Sequence, residues 1–219
     1  MNYKQLLALI RSGEGLRVEF KQRFSDYEKI AKEMIAFANT RGGVLIFGVA
    51  DNGSIYGVDS EKSITELVEK TVSNWCEPRI TPRYNYFEIQ GLEVVAVEIE
   101  ESAFKPHRLQ DYNKNFDLNS AQVYVRVNDK SVPASKEMIK LLQTQTTEKP
   151  LKNYNIGKNE KTVFEFVNEN EKISVKELCE IANLSKRRAS RTLINMVRAN
   201  LLILHTKDNG EEYFTSFGL

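Results

Sequence analysis

The sequence has few of the residues from which disulfide frameworks and metal sites are built. It contains two cysteines, Cys76 and Cys179, and two histidines, His107 and His205. The cysteines lie far apart and form no CxxC pair, so neither a disulfide framework nor a zinc ribbon can be built from them. We interpret both cysteines as ordinary buried thiols, and the isolated histidines predict no metal site.

Long apolar runs and a strong net charge are also missing. No run approaches the ~20 apolar residues that a helix needs to cross a bilayer, and the N-terminus does not resemble a signal peptide. These absences predict a cytoplasmic protein without a membrane partner. The formal net charge is only +1 at pH 7, so any nucleic-acid site must be a local cluster of cations.

What is present is the composition of a globular protein, 41% hydrophobic and 28% charged, which argues against a largely disordered chain. Interleaved strand and helix patterns predict a first domain, residues 1–143, of the α+β class with a mixed sheet flanked by helices. Residues 144–156 are polar and without periodicity, which predicts a linker. Residues 157–219 are predicted to form a second domain.

Apolar periodicity places the elements of the first domain. Residues 44–49 are continuously apolar, as expected for a central strand covered on both faces, and Gln90-Gly91 joins two strand patterns as a hairpin. In chain order the patterns predict a helix at 3–11, a strand at 16–21, a helix capped by Asp26, strands at 44–49 and 55–58, a helix at 63–76, strands at 84–89, 93–100 and 123–127, and a helix at 135–142.

The second domain has the element order of a winged helix-turn-helix. The patterns predict helices at 162–168, 175–182 and 186–199 and a hairpin from strands at 201–205 and 212–214. Ser174, with Glu177 three residues later, is a capping box at the start of the short middle helix. Asn209-Gly210 between two apolar runs is a strong hairpin signal.

The third of these helices carries a cluster of cations at its N-terminal end and apolar residues behind it. In a helix-turn-helix that end enters the major groove and reaches base edges and phosphates. The alternatives are a solvated helix face and a winged helix that binds protein. The predicted DNA contacts are Lys186, Arg187, Arg188 and Arg191.

Several blocks of the first domain resemble the Schlafen-type AlbA-like domain over roughly residues 12–135. Gly57, Pro106 and Ser131 fit the same pattern. The blocks are residues 14–21 (EGLRVEFK), 36–43 (AFANTRGG), 46–51 (IFGVAD) and Val125-Arg126-Val127.

The resemblance implies a bacterial DNA-binding domain that is often fused to a C-terminal winged helix in transcriptional regulators. Older descriptions call the family a divergent ATPase. A P-loop needs GxxxxGK[ST] between a strand and a helix, and no Gly-Lys-Ser or Gly-Lys-Thr occurs in the sequence. We interpret Gly42-Gly43 as a helix stop with close packing.

The resemblance also implies an alternative, since three carboxylates form an endoribonuclease site in some Schlafen proteins. By motif match these fall on Glu14, Glu19 and Asp51. Such a cluster could hold Mg²⁺ or Mn²⁺, which stabilises charge on the phosphate and lowers the pKa of a water. Otherwise Glu14 is a loop residue, Glu19 pairs with Lys21 or Arg17, and Asp51 lies in a turn.

The sequence therefore predicts a DNA-binding transcriptional regulator that is not an enzyme and has no cofactor. The alternatives are the metal-dependent ribonuclease, which would make RNA the partner, and a protein-interaction adaptor. The sequence does not decide whether the protein forms a homo-oligomer. Tyr112 and Phe116 could stack on bases. Further predicted nucleic-acid contacts in the first domain are Lys21, Arg23, Lys105, Arg108, Arg126 and Ser131.

Overall fold

The computed structural model describes residues 1–112, 115–147 and 154–217, with the backbone alone for 145–147. Internal contacts divide the chain into two compact units, Met1–Pro133 and Ala134–Leu219. The first unit thus ends at Pro133, whereas the sequence predicts an end at residue 143. Among the described residues, no helix is both long and apolar enough to cross a membrane.

The first unit consists of three helices and eight strands among its described residues. The predicted hairpin around Gln90-Gly91 is confirmed, and so is the mixed sheet. In chain order the elements are α1 (Tyr3–Ser12), β1 (Val18–Lys21), α2 (Tyr27–Asn39), β2 (Gly43–Phe47), α3 (Glu61–Asn74), β3 (Cys76–Glu77), β4 (Arg83–Ile89), β5 (Leu92–Ile99), β6 (Arg108–Leu109), β7 (Tyr124–Val127) and β8 (Lys130–Pro133).

The main sheet has four strands in the order β1-β2-β5-β4. Strand β1 runs parallel to β2, with Val18 opposite Val44. Strand β5 runs antiparallel to both β2 and β4. The single parallel pair is joined through α2, as a crossover between parallel strands requires.

Both faces of the main sheet are covered, which explains why its central strands are apolar without alternation. Along β5, Val95 and Val97 pack in the core under α2 and α3, whereas Val94 and Ala96 face the second core. That second core contains Leu6 of α1. Each of these five side chains is fully buried.

The turn between α2 and β2 requires glycine at two positions. Gly42 has a φ of +65°, and a Cβ there would lie 2.6 Å from the carbonyl oxygen of Ile99. A Cβ on Gly43 would lie 2.3 Å from the ring of Phe37. Close packing is therefore the reason for this glycine pair, as the sequence predicts.

Two short strand pairs are absent from the sequence prediction. Strand β3 pairs with β6, and β7 pairs with β8. Two-residue strands are too short to show a period, and β8 is largely polar. Conversely, the predicted strand at 55–58 is reduced to one bridge between Val49 and Ile55.

The second unit has four helices and one hairpin among its described residues. Helix α6 begins with the predicted capping box, in which Ser174 accepts a hydrogen bond from the Glu177 amide. In chain order the elements are α4 (Lys136–Thr147), α5 (Lys158–Asn170), α6 (Val175–Ile181), α7 (Lys186–Arg198), β9 (Leu202–Thr206) and β10 (Glu212–Ser216).

Helix α4 differs most from the prediction for this part of the chain. The sequence assigns it to the first domain, but Leu141 packs against the core of the second unit. Lys140 Nζ also donates a hydrogen bond to Ser190 Oγ at 2.9 Å. The helix continues to Thr147, so the first residues of the predicted linker are helical, and residues 148–153 of that linker lie outside the described part.

Candidate nucleic-acid interface

Helix α7 is strongly amphipathic. Its buried face carries Ala189, Leu193 and Met196, all fully buried in the core of the second unit. Ser185 caps its N-terminus by accepting a hydrogen bond from the Arg188 amide. The apolar residues therefore fix the rotation of the helix, and its cations must face outward.

The four cations predicted as DNA contacts lie together on the exposed face of the first two turns of α7. Lys186, Arg187, Arg188 and Arg191 are all exposed. None of them forms an ion pair within the part of the chain that the structure describes. The N-terminal end of a helix also carries a partial positive charge. This surface, the α7 cation face, is suited to bind an anion.

The helix before α7 and the hairpin after it are held firmly in place. The Leu184 amide donates a hydrogen bond to the Cys179 carbonyl at 3.0 Å, which closes the turn between α6 and α7. Ile173 pairs with Phe214 of β10 by two backbone hydrogen bonds. The α7 cation face therefore projects from a fixed framework.

Lys105 and Arg108 are buried, although the sequence predicts that they contact nucleic acid at the surface. The Lys105 side chain is 6% exposed and its Nζ lies 2.6 Å from Glu101 Oε1. The Arg108 side chain is 4% exposed and bridges Glu77 and Asp111, at 2.8 Å each. Their charges are thus engaged inside the unit, because the loop around Pro106 folds inward.

Arg126 is likewise buried instead of exposed. Its Nη1 lies 3.0 Å from Glu19 Oε2 and 2.8 Å from Glu33 Oε2. Its Nη2 donates to the Gly15 carbonyl at 2.7 Å, and the guanidinium lies 4.8 Å from the centre of the Phe37 ring. Arg126 therefore joins β1, α2 and β7 through their side chains and cannot present its charge at the surface.

Glu33 of α2 is the member of this network that sequence reasoning missed. Its carboxylate accepts hydrogen bonds from Arg126 and from the hydroxyl of Ser131. Burial raises the pKa of Glu33, and the negative charge of Glu19 raises it further. A glutamate within an amphipathic helix gives no sign of such a role, except that it lies next to the apolar stripe. Ser131 is thus a partner of Glu33.

The three carboxylates of the ribonuclease alternative lie near one another, but Glu14 and Glu19 are engaged by other groups, whereas Asp51 is exposed. Burial raises the pKa of Glu14, which accepts a hydrogen bond from the Phe20 amide, and the charges of Glu19 and Asp51 raise it further. Glu19 pairs with both Lys21 and Arg126. Among the described residues, no three His, Cys, Asp or Glu side chains are grouped as metal ligands.

The remaining predicted contacts of the first unit divide into two kinds. Lys21 is half-buried and paired with Glu19. Arg23 is exposed beside a cavity at the start of α3. The side chain of Tyr112 is 80% exposed, whereas Phe116 lies under the guanidinium of Arg108. Arg23 and Tyr112 are thus open to a ligand, and Phe116 is also exposed, at 37%.

Glu212, in the hairpin of the second unit, has a carboxyl group that should make the stability of this unit depend on pH. Burial raises the pKa of Glu212 from 4.5 to about 7, a hydrogen bond from Ser135 opposes this, and Glu137 adds to it. The folded state therefore holds the proton more tightly than the unfolded state. The contribution of Glu212 to stability is full below pH 4.5 and is lost as pH rises through about 7.

Glu212→Gln should thus stabilise the protein at pH 8, on the order of 3 kcal/mol, and have little effect at pH 4.5. Thermal unfolding followed by circular dichroism at both pH values measures this. Glu169→Gln, on the exposed surface of α5, is the control and should shift neither curve. An equal effect of Glu212→Gln at both pH values would contradict the assignment.

Comparison with known proteins gives the family of the first unit. The sequence matches the Schlafen, AlbA_2 family over residues 14–135, more than half of the chain. An uncharacterized ATP-binding protein of Ureaplasma parvum is 29% identical over 136 residues, 53% of this chain. The chain spans only 38% of the length of that curated relative.

Two solved structures are also similar. The DIP2311 protein of Corynebacterium diphtheriae is 18% identical with a TM-score of 0.48, over 97% of this chain and 38% of that one. The N-terminal domain of a RecG-related protein from Nitrosomonas europaea is 22% identical with a TM-score of 0.39, over 52% of this chain and 81% of that one. Because both scores are below 0.5, the assignment depends on the match along residues 14–135 alone: the chain belongs to the Schlafen, AlbA_2 family.

Proposed function

We propose that this protein is a DNA-binding transcriptional regulator whose second unit is a winged helix with α7 as its recognition helix. The observation that carries the proposal is the α7 cation face, in which Lys186, Arg187, Arg188 and Arg191 are exposed and unpaired among the described residues. In helix-turn-helix proteins the corresponding end of the second helix enters the major groove. The hairpin of β9 and β10 follows α7 directly, as a wing does.

The distribution of paired and unpaired cations also favours the α7 cation face as the surface that contacts DNA. Lys105, Arg108 and Arg126 of the first unit are engaged by carboxylates. A protein of net charge +1 has little long-range attraction for DNA. Its DNA contacts must therefore come from cations that are free to meet phosphates, and α7 concentrates four of them at one helix end.

A ribonuclease is the less favoured function for the first unit. A metal site at Glu14, Glu19 and Asp51 would have to compete with Lys21 and Arg126 for the Glu19 carboxylate. An ATPase is not favoured either, since the sequence has no P-loop motif. An adaptor that binds protein through the second unit would leave the α7 cation face without an assigned partner.

Selection from a random duplex library with the full chain tests whether the protein reads sequence. Specific sites bind about 10³-fold or more tightly than nonspecific ones, so successive rounds should enrich one common sequence. The chain with Arg187→Gln, Arg188→Gln and Arg191→Gln should enrich none. Recovery of fragments without a shared sequence by the unchanged protein would refute the role of a sequence-reading regulator.

A further inference from the structure

Strand β4 forms one edge of the main sheet, since the strand order is β1-β2-β5-β4. It is seven residues long, contains no proline and pairs with β5 without a bulge. Proteins usually protect such an edge with a proline, a bulge, charged side chains or a covering segment. The centre of β4, residues 84–87, carries no charge, because its two charged residues, Arg83 and Glu88, lie towards the ends.

The hairpin between β4 and β5 determines which backbone groups of β4 point outward. Its turn has two residues, so the flanking pair, Ile89 with Leu92, is hydrogen-bonded, and such pairs alternate with non-hydrogen-bonded ones along the ladder. The next pair, Glu88 with Glu93, is therefore not hydrogen-bonded. The Glu93 carbonyl instead accepts from the Val58 amide at 2.8 Å, as a carbonyl that points away from β4 can.

This alternation leaves three residues of β4 with outward N–H and C=O groups, namely Tyr84, Tyr86 and Glu88. In the part of the chain that the structure describes, no hydrogen bond reaches these backbone groups. The side chain of Tyr86, at the middle of the row, is 47% exposed. A row of unpaired backbone groups is a template on which another strand can pair.

The opposite edge of the sheet, β1, is covered by the chain itself. Gly15 forms a bridge with Val18, and the Glu14 carboxylate accepts a hydrogen bond from the Phe20 amide at 2.8 Å. If two copies of the chain pair through β4, both outer edges of the joined sheet are therefore covered β1 strands. Such an assembly closes at two copies and cannot grow into a fibre.

The outward groups of β4 are complementary to a second copy of the same strand. With antiparallel copies and a two-fold axis at Tyr86, each Tyr86 lies opposite the other, and Tyr84 lies opposite Glu88 of the second copy. All the outward residues then form hydrogen-bonded pairs, each of which exchanges both of its hydrogen bonds. No like charges meet, because Arg83 lies opposite Ile89 of the second copy.

We propose that the first unit forms a two-fold dimer by antiparallel pairing of β4 with β4 of a second copy. The pairing joins two four-stranded sheets into one continuous sheet. The dimer carries two copies of α7, and many helix-turn-helix proteins read two half-sites as dimers. The pairing itself does not require DNA, so the dimer can fail without the DNA-binding role failing, and the reverse also holds.

Sedimentation equilibrium of the full chain without DNA, from about 1 μM to about 1 mM protein, should show a monomer–dimer equilibrium. Tyr86→Pro removes an outward amide that β5 does not use, and should weaken dimerisation about tenfold or more. Tyr86→Phe keeps this amide and should leave dimerisation unchanged. Tyr86→Lys, which places two ammonium groups opposite each other at the axis, should weaken it without changing the backbone. The fluorescence of Trp75 during unfolding checks that each variant is folded.

A disulfide cross-link tests the position of the two-fold axis. Tyr86→Cys, with Cys179→Ser, should form a covalent dimer under mild oxidation, because the Cα atoms of a hydrogen-bonded pair lie about 5.5 Å apart, within the span of a disulfide. Phe104→Cys in the same background is more exposed, since Phe104 is 72% accessible, and should remain monomeric on a denaturing gel.

Three results would overturn the proposal. The first is a monomer at every concentration, which would leave the β4 edge to a strand of another protein. The second is dimerisation that both Tyr86→Pro and Tyr86→Lys leave as tight as that of Tyr86→Phe, which would place the interface elsewhere. The third is cross-linking of Tyr86→Cys that does not exceed that of Phe104→Cys.

Discussion

Arg126→Met should destabilise the first unit by about 3–5 kcal/mol, the usual cost of removing one partner from a buried ion pair. The Arg126 side chain is fully buried between Glu19 and Glu33. Methionine fills a similar volume but leaves Glu33 without Arg126 and leaves Lys21 as the cation that still pairs with Glu19. Urea unfolding followed by the fluorescence of Trp75 measures the effect, because this tryptophan is the only one in the chain and lies in the first unit.

Two further variants show that the loss comes from the uncompensated carboxylates. Adding Glu19→Gln and Glu33→Gln to Arg126→Met removes the buried negative charges and should restore much of the stability. Arg79→Met removes an exposed arginine, 62% accessible, from its pair with Glu69 and should cost less than about 1 kcal/mol. A loss at Arg126 no larger than that at Arg79 would mean that the network does not hold the first unit together.

The elements with long apolar patterns were predictable from the sequence. Strand β2 has no polar position to mark a solvent face, because α1 covers one side of the sheet and α2 and α3 cover the other. The capping box at Ser174 places the start of α6 by its side-chain chemistry alone. Local sequence patterns are sufficient in these cases, because the residues that determine each element lie within the element or a few positions from it.

The failures at Arg126 and at helix α4 concern contacts between residues that are distant in the sequence. Arg126 is 107 residues from Glu19 and 93 from Glu33, so nothing near this basic residue in the sequence shows that its charge is buried and paired. Helix α4 has an amphipathic pattern that does not show which core it covers. The pattern identifies a buried face, and only the tertiary structure identifies its partner.

The cations of α7 are the exception, because their exposure follows from the helix itself. The buried residues Ala189, Leu193 and Met196 leave the basic positions on the opposite side.

Replacing Arg187, Arg188 and Arg191 with glutamine should therefore remove phosphate contacts without loss of folding. Each lost contact reduces the slope of log affinity against log salt by ~0.9, so three should reduce it by about 2.7. Between 50 and 200 mM salt, the loss of affinity should then be about 40-fold smaller than for the unchanged protein.

A salt titration of duplex DNA binding by fluorescence anisotropy tests the central claim most directly. It compares the unchanged chain, the chain with glutamine at the three α7 arginines, and a control with glutamine at three exposed lysines of the same unit, Lys158, Lys161 and Lys172. The control loses the same charge and should keep the affinity and the slope of the unchanged chain. We expect weaker binding and a flatter slope only for the α7 variant. Equal slopes and affinities for all three proteins would contradict α7 as the helix that binds DNA.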